Sequence, residues 1–368
     1  MAARQALLYN RKVKHWDAII IGGGVIGLSL ALRLREQSLT VLIVEKREPA
    51  GEATHAAGGM IAHCDPHTPN PLLPLVRRSA QMYSAFVGEL EKESGERIDL
   101  RDTGTIAVFR QGEIPLCDDA RQITASEIAS LEPSLRLADS AWYLPELCVD
   151  PRDLGRALEK AARLRGVDFV TGSAALEVVT ADGRAIGVRT PHSTYHAGIV
   201  VNCAGAWAAQ IAPGRIPTRP VKGQMLCVVP QSGHTHDSVL IRHVIRTPDI
   251  YIIPRSDGRI LLGATVEEAG FDKQVDPGTI KAMFDAAVQI APVLASTRMH
   301  EAWAGLRPGT PDGLPILGET AISGYFAATG HFRDGIALAP ATAEVMTQLI
   351  TCGKPAIDLA PFSPLRLG

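Results

Sequence analysis

The chain has 368 residues with 37 basic and 39 acidic side chains, a formal net charge of −2. This length allows two domains around a sizeable core, and the near-neutral charge gives no case for nucleic acid or an anionic membrane as main partner. Hydrophobic residues at 46% and charged residues at 21% describe a globular chain and exclude disorder and low complexity.

Residues 1–15 are basic and lack the apolar centre of a secretory signal, so they read as a flexible tail. Asp17–Ile21 follows as a short apolar run, as expected for a strand buried on both faces. Gly22-Gly23-Gly24-Val25-Ile26-Gly27 comes next, then an amphipathic stretch to Glu36, and a second apolar strand ending at Val44-Glu45. This G-x-G-x-x-G has the setting that gives it meaning: strand before, helix after, and an acid eighteen residues beyond Gly27. Gly22 permits the tight turn, Gly24 lets backbone approach a pyrophosphate, and Gly27 lets helix and strand pack closely. The helix N-terminus adds amide donors and positive dipole. Glu45 is suited to accept hydrogen bonds from ribose hydroxyls, and its charge disfavours a 2′-phosphate. FAD and NAD both remain open at this point.

Six cysteines, at 64, 117, 148, 203, 227 and 352, show no CxxC pair and no short even spacing. That favours a reduced, cytoplasmic protein over a disulfide scaffold. His63, Cys64, Asp65 and His67 gather ligand types, but no second pair matches them and no metal is expected. The longest apolar run, 18–32, is broken by glycines and falls short of the roughly 18–20 residues that cross a bilayer.

Asn70 to Glu93 has helical spacing, with Val76, Tyr83, Val87 and Leu90 on one side and Gly95 as the stop. Asp150-Pro151 opens another helix, ended by Gly166. Strand pairs flank Asp182-Gly183 and Asp257-Gly258 turns. The fold class expected is α/β with an α+β insertion: a Rossmann-like nucleotide-binding domain assembled from discontinuous pieces and a mainly antiparallel domain inserted between them. The nucleotide-binding domain is placed at 16–75, 150–220 and 305–368, and the inserted domain, expected to bind substrate, at 76–149 and 221–304.

Three further segments identify a relationship. Residues 51–60, with Gly58, Gly59 and Met60, 200–207, with Gly205 and Trp207, and Gly330-His331-Phe332-Arg333-Asp334-Gly335-Ile336 resemble the D-amino acid oxidase family of FAD-dependent oxidoreductases. The 303–313 stretch containing Arg307 brings the likeness nearest to its glycine-oxidase branch, of the thiamine pathway. The resemblance runs from about Asp17 to about Cys352 and implies FAD as cofactor. It also places Lys46, Ala53, Thr54, His55 and Ala175 among the cofactor contacts, with Val25 and Ile26 in the phosphate turn. Small residues at 56–59 suit close backbone approach to a planar ring. The helix after Gly335, with Pro340 in or near its first turn, would aim its positive end at the flavin pyrimidine.

By the same resemblance Tyr251 and Arg307 hold a substrate carboxylate, a task that suits the planar arginine fork. Arg333 falls beside the flavin and either shapes the pocket or forms an ion pair with Asp334 or a distant acid. His55 stands in a setting similar to that of histidines bearing covalent flavin, with packing near the cofactor as the plainer expectation. Asp249 stands where a relative has a histidine, and Lys222 is either a cation near the flavin or a strand-edge lysine in solvent.

The activity implied is oxidation of glycine, sarcosine or a short D-amino acid by hydride transfer to flavin N5. An imino acid results, then an oxo acid and ammonia, with O2 reduced to hydrogen peroxide. A dehydrogenase passing electrons to a quinone or carrier is the nearest alternative, and a non-catalytic flavin-binding protein the alternative of another class. Self-association is common among such oxidases, and the subunit number stays open.

Overall fold

The computed structural model describes residues 14–137, 140–214, 216–231 and 240–367. Most of the basic stretch read as a tail, residues 1–13, lies outside the described residues, and the first strand already begins at His15.

His15–Ile21 lies between Val41–Val44 and Thr194–Asn202, parallel to both, in an eight-stranded sheet. Asp168–Val170 extends one edge, and the hairpin Glu177–Ala181 and Arg184–Arg189 the other. Tyr325–Thr329 joins Thr194–Asn202 in parallel and carries Ile316–Glu319 as an antiparallel neighbour. Alternation in the first strand feeds two cores. Ala18 and Ile20 pack with the helices Val25–Glu36, Leu73–Ser94, Pro151–Leu164 and Gly335–Cys352. Ile19 and Ile21 face the opposite core, with Val178, Val188 and Tyr325. A strand covered on both faces explains the unbroken apolar run in the sequence.

A second eight-stranded sheet runs in the order Thr297–Gly309, Arg219–Pro230, Ile260–Gly263, Tyr251–Pro254, Val244–Arg246, Thr105–Ala107, Ser140–Leu144 and Arg121–Thr124. One face packs on the helix Pro277–Ile290 through Leu226, Ile245, Ile252 and Leu262. The other carries Met225, Tyr251, Ile253 and Trp303. A small three-stranded sheet of Met60–Ile61, Leu147–Val149 and Leu100–Arg101 sits at the junction. Parallel and antiparallel sheets with covering helices bear out the α/β expectation.

Local signals behave as their chemistry requires. The Asn70–Glu93 pattern becomes a 3₁₀ turn over Asn70–Leu72 and an α-helix over Leu73–Ser94, ended by left-handed Gly95. Asp150 caps its helix by accepting from the Arg152 amide at 2.8 Å. Pro340 lies inside the last helix, beyond its first turn, where it withholds an amide from the carbonyl of Ile336. Tyr83 replaces the missing donor, its hydroxyl donating to Ile336 O at 3.1 Å. One turn on, the Ser79 hydroxyl donates to Ala337 O at 2.6 Å and accepts from the Ala341 amide at 3.4 Å. Two side chains of one helix thus satisfy the break in another.

The cysteine expectation is corrected here: Cys64 and Cys117 form a disulfide. Their separation of 53 residues left no short motif, and only packing of the two loops brings their Cα atoms to 4.9 Å. No helix among the described residues is long and apolar enough to cross a membrane.

Tyr83→Phe should leave the buried Ile336 carbonyl unpaired and lower unfolding stability by about 1–3 kcal/mol. A lower urea midpoint at unchanged slope is the expected reading; an unchanged midpoint contradicts this role.

Candidate active site

At the nucleotide end, Gly22 turns the chain with φ +104, and a Cβ there would lie 2.5 Å from Cys203 O. A Cβ on Gly27 would lie 2.0 Å from Gly22 O, so the helix approaches the strand only without a side chain. Glu45 is buried, and its carboxylate accepts from the Gly23 amide at 2.8 Å and the Arg47 amide at 2.9 Å. The Thr54 hydroxyl accepts from the Val25 amide at 2.9 Å, capping a helix whose N-cap, Gly24, has no side chain. Lys46 stacks its ammonium 3.2 Å from the centre of the Trp207 ring, and partial burial lowers its pKa.

At the other end a register row crosses the second sheet. Arg246 stands opposite Tyr251, Tyr251 opposite Gly263, Gly263 opposite Met225, and Met225 opposite Trp303. Directly opposed residues share a face, and Arg307 joins that face two pairs beyond Gly305 along its strand. Glycines open the space. A Cβ on Gly223 would lie 2.2 Å from Arg307 Nη1, and one on Gly263 2.7 Å from Tyr251 Cε2. Arg307 Nη1 donates to Thr265 O at 2.9 Å, which fixes one tip of the fork. The Tyr251 hydroxyl donates to Met225 Sδ at 3.4 Å, a weak acceptor, and burial raises its pKa so that it stays protonated.

The third wall is the turn before the last helix. Gly330 has φ +77, and Phe332, at φ +47, donates its amide to Pro308 O at 3.0 Å. Arg333 pairs with Asp65 at 3.0 Å and lies 3.9 Å from Asp334. Burial pushes the Asp334 carboxyl up to about 6 and the His331 imidazole down to about 3. His331 Nε2 lies 3.1 Å from the Thr342 hydroxyl.

These walls enclose one cavity of about 540 Å³, running from Glu45, Lys46 and Ala175 to Tyr251, Arg307 and Arg333. The sequence profile of the family described as "FAD dependent oxidoreductase" matches residues 17–349. The chain belongs to this DAO family of FAD-dependent oxidoreductases. It is 31% identical over 371 residues to glycine oxidase of Geobacillus kaustophilus, covering 95% of this chain and 97% of that protein. The crystal structure of that enzyme superposes with a TM-score of 0.87 at 30% identity, covering 95% of this chain and 98% of the other. The bifunctional protein ThiO/ThiG of Synechocystis is 33% identical over 356 residues, covering 95% of this chain. The chain spans only 54% of that relative's length.

FAD is the cofactor of this family, and the residues fit it. The cavity pairs a glycine turn and buried acid at one end with a wall of small residues, Ala56, Ala57, Gly58 and Gly59, further along. A Cβ on Gly59 would lie 1.9 Å from Val149 O, and one on Gly305 would lie 2.4 Å from Ala56 Cβ, so the wall tolerates little bulk.

Most of the residues singled out from sequence line this cavity, among them Gly22, Gly24, Val25, Ile26, Ala53, Thr54, Met60, Gly205, Trp207 and Ile336. Gly27 and Gly330 are absent from its lining and act through the turns they permit. His55 is a correction. It is exposed and lines a separate small cleft with Arg152 and Glu159, because the one-turn helix Ala53–Ala56 directs Thr54 inward and its neighbour outward. An attachment of flavin to His55 has no support in that placement. Lys222 fits neither of its readings. It is buried, lies 3.7 Å from Glu267 and 3.6 Å from Asp272, and sits one residue out of phase with Gly223. Arg333 does both things considered for it, lining the cavity and pairing with acids. Sequence reasoning missed Gly223, Gly263 and Arg246; glycines inside strands were the available signal for the first two.

The buried neutral His331 has an ordinary pKa of 6.5 and a folded value near 3. An unfolded chain therefore gains a proton that the folded one refuses, and stability falls as pH drops below about 6.5. The loss attributable to this group approaches roughly 1.4 kcal/mol per pH unit until about pH 3. His331→Gln should flatten this acid limb in urea titrations between pH 4 and 7. An equally steep limb in the variant would refute the assignment.

Proposed function

We propose that the chain oxidises glycine or another small amino acid, such as sarcosine or a short D-amino acid, with O2 as electron acceptor. The observation that carries the reading is the pairing of Tyr251 and Arg307 inside the cavity that fits FAD. A substrate carboxylate would take the free part of the Arg307 fork and draw the Tyr251 hydroxyl from its weak thioether acceptor to a charged oxygen. Such charge-assisted bonds are roughly twice as strong as neutral ones. Pinning one end of a small substrate orients its Cα, and orientation alone supplies several kcal/mol of a barrier.

FAD, when bound, supplies the two-electron acceptor that O2 reoxidises with release of hydrogen peroxide. The substrate loses two electrons and two protons to become an imino acid, which water converts to an oxo acid and ammonia, or methylamine where the substrate is sarcosine. Asp249, two residues before Tyr251, borders the same cavity and adds negative charge near the amine.

Likeness to glycine oxidase and to ThiO/ThiG supports the substrate class and a link to thiamine biosynthesis; a cytoplasmic setting belongs to the same proposal. The division into an FAD domain at 16–75, 150–220 and 305–368 and a substrate domain at 76–149 and 221–304 belongs to the same proposal. The first sheet supports the former and the Tyr251 sheet the latter, except that helix Leu73–Ser94 packs on the first sheet and residues 305–309 end a strand of the Tyr251 sheet.

Anaerobic addition of glycine, sarcosine, D-alanine or D-proline should bleach the flavin band, and air should restore it with formation of peroxide. Bleaching without recovery in air would replace the oxidase with a dehydrogenase. No bleaching by any of the four would overturn the substrate class.

A further inference from the structure

Arg307 Nη1 donates to the Thr265 carbonyl at 2.9 Å and, more distantly, to the Lys222 carbonyl at 3.4 Å. A carbonyl beside a sheet ordinarily accepts from the neighbouring strand, so the availability of Thr265 O needs a cause. Beyond Gly263 the chain stays alongside the Arg219–Pro230 strand in an altered register. Met225 faces Gly263, whereas Lys222 faces Glu267. Between those pairs one strand advances three residues and the other four, the mismatch of a β-bulge. The Gln224 amide, which a regular ladder would aim at a carbonyl, donates instead to the Thr265 hydroxyl at 2.9 Å. That hydroxyl donates in turn to Glu267 Oε1. A hydroxyl has one hydrogen, so sending it to the carboxylate turns a lone pair toward the Gln224 amide. The same Glu267 oxygen accepts from Gln224 Nε2 at 2.8 Å. Its other oxygen lies 3.7 Å from the buried Lys222 ammonium, which lies 3.6 Å from Asp272 as well. Neither Glu267 nor Lys222 lines the cavity.

We propose that Glu267 is a positioning residue for the substrate carboxylate: it holds the Thr265 hydroxyl on the ladder, which leaves the Thr265 carbonyl to orient Arg307. Lys222 fixes the Glu267 carboxylate from its other side. This rests on the reading that Arg307 receives the carboxylate of an amino acid. Without Glu267 the hydroxyl is free to rotate, the Gln224 amide loses its directed acceptor, and the bulge relaxes toward a ladder that claims the Thr265 carbonyl. Arg307 then loses the anchor on Nη1, and ordering its fork is drawn from the binding energy of the ligand. Charge alone predicts the opposite. Removing an anion from the neighbourhood of an anion site strengthens the binding of a carboxylate. The two effects differ in sign.

The test is perturbation of the flavin band of the FAD-loaded protein by acetate, which needs no turnover. Glu267→Ala should weaken acetate binding about fivefold to tenfold, the loss of one directed hydrogen bond. Glu267→Gln keeps an oxygen for the Thr265 hydroxyl and should bind acetate within about twofold of the unaltered protein. With the amino acid that is oxidised, KM should rise in Glu267→Ala by the same factor while kcat stays within about threefold. Acetate bound equally or more tightly by Glu267→Ala overturns the proposal, and so does equal weakening by Glu267→Gln. A fall in kcat at unchanged KM contradicts it too. Should Glu267→Ala lose its flavin, Thr265→Val, of nearly equal size, replaces it, with the same weakening expected and unchanged acetate affinity contradicting the role. If no amine is oxidised but acetate follows this pattern, the positioning role stands and the oxidase reading falls. If acetate leaves the flavin of the unaltered protein unperturbed, the role falls whatever is oxidised.

Discussion

The two large sheets are joined through a clamp around Arg255. Its side chain is fully buried, with Nη2 donating to Gly58 O at 2.7 Å and Nη1 to Val149 O at 3.1 Å. Asp150 answers the charge, lying 3.7 Å from Arg255 Nε and 2.7 Å from Arg259 Nη2, and its pKa is lowered by these arginines despite burial. A guanidinium out of water is stable only when paired and hydrogen-bonded, and these partners come from three different elements. Arg255 follows the Tyr251–Pro254 strand, Gly58 belongs to the small-residue wall, and Asp150 caps a helix packed on the first sheet. The cavity is the space left beside this clamp, so its walls hold their spacing because Arg255 does.

Close approach is the second half of the same design. Gly59 turns with φ +80 against Val149, whose amide donates to Gly59 O at 2.9 Å, and Gly305 meets Ala56 from the opposite sheet. The Trp303 indole donates to Ala56 O at 3.2 Å, fastening the Arg307 strand to that wall. Side chains are removed where backbones touch and where Arg307 and Tyr251 need room.

Much of the nucleotide end was legible in the sequence, since its constraints are local. A doubly covered strand, a turn requiring left-handed backbone at Gly22 and a helix pressed against that turn at Gly27 all lie within a dozen residues. Tyr251 and Arg307 were reached only through resemblance. Their neighbourhood depends on register between strands distant in sequence, and nothing local announces that Arg246 faces Tyr251 or that Gly223 makes room for Arg307. The Cys64–Cys117 bond was hidden because it depends on the packing of two loops 53 residues apart. His55 and Lys222 failed for a smaller reason, a rotation of one residue. Within a single helical turn or one step along a strand, the neighbour points inward and they do not.

The central claim is that this clamp and these glycines hold Tyr251 and Arg307 as the receptor for a substrate carboxylate. A crystal structure of the FAD-loaded protein with acetate tests it most directly. The account predicts acetate oxygens within hydrogen-bond reach of the Arg307 guanidinium and the Tyr251 hydroxyl, with that hydroxyl moved off Met225. Acetate bound elsewhere in the cavity, with Tyr251 still on the thioether, would contradict it.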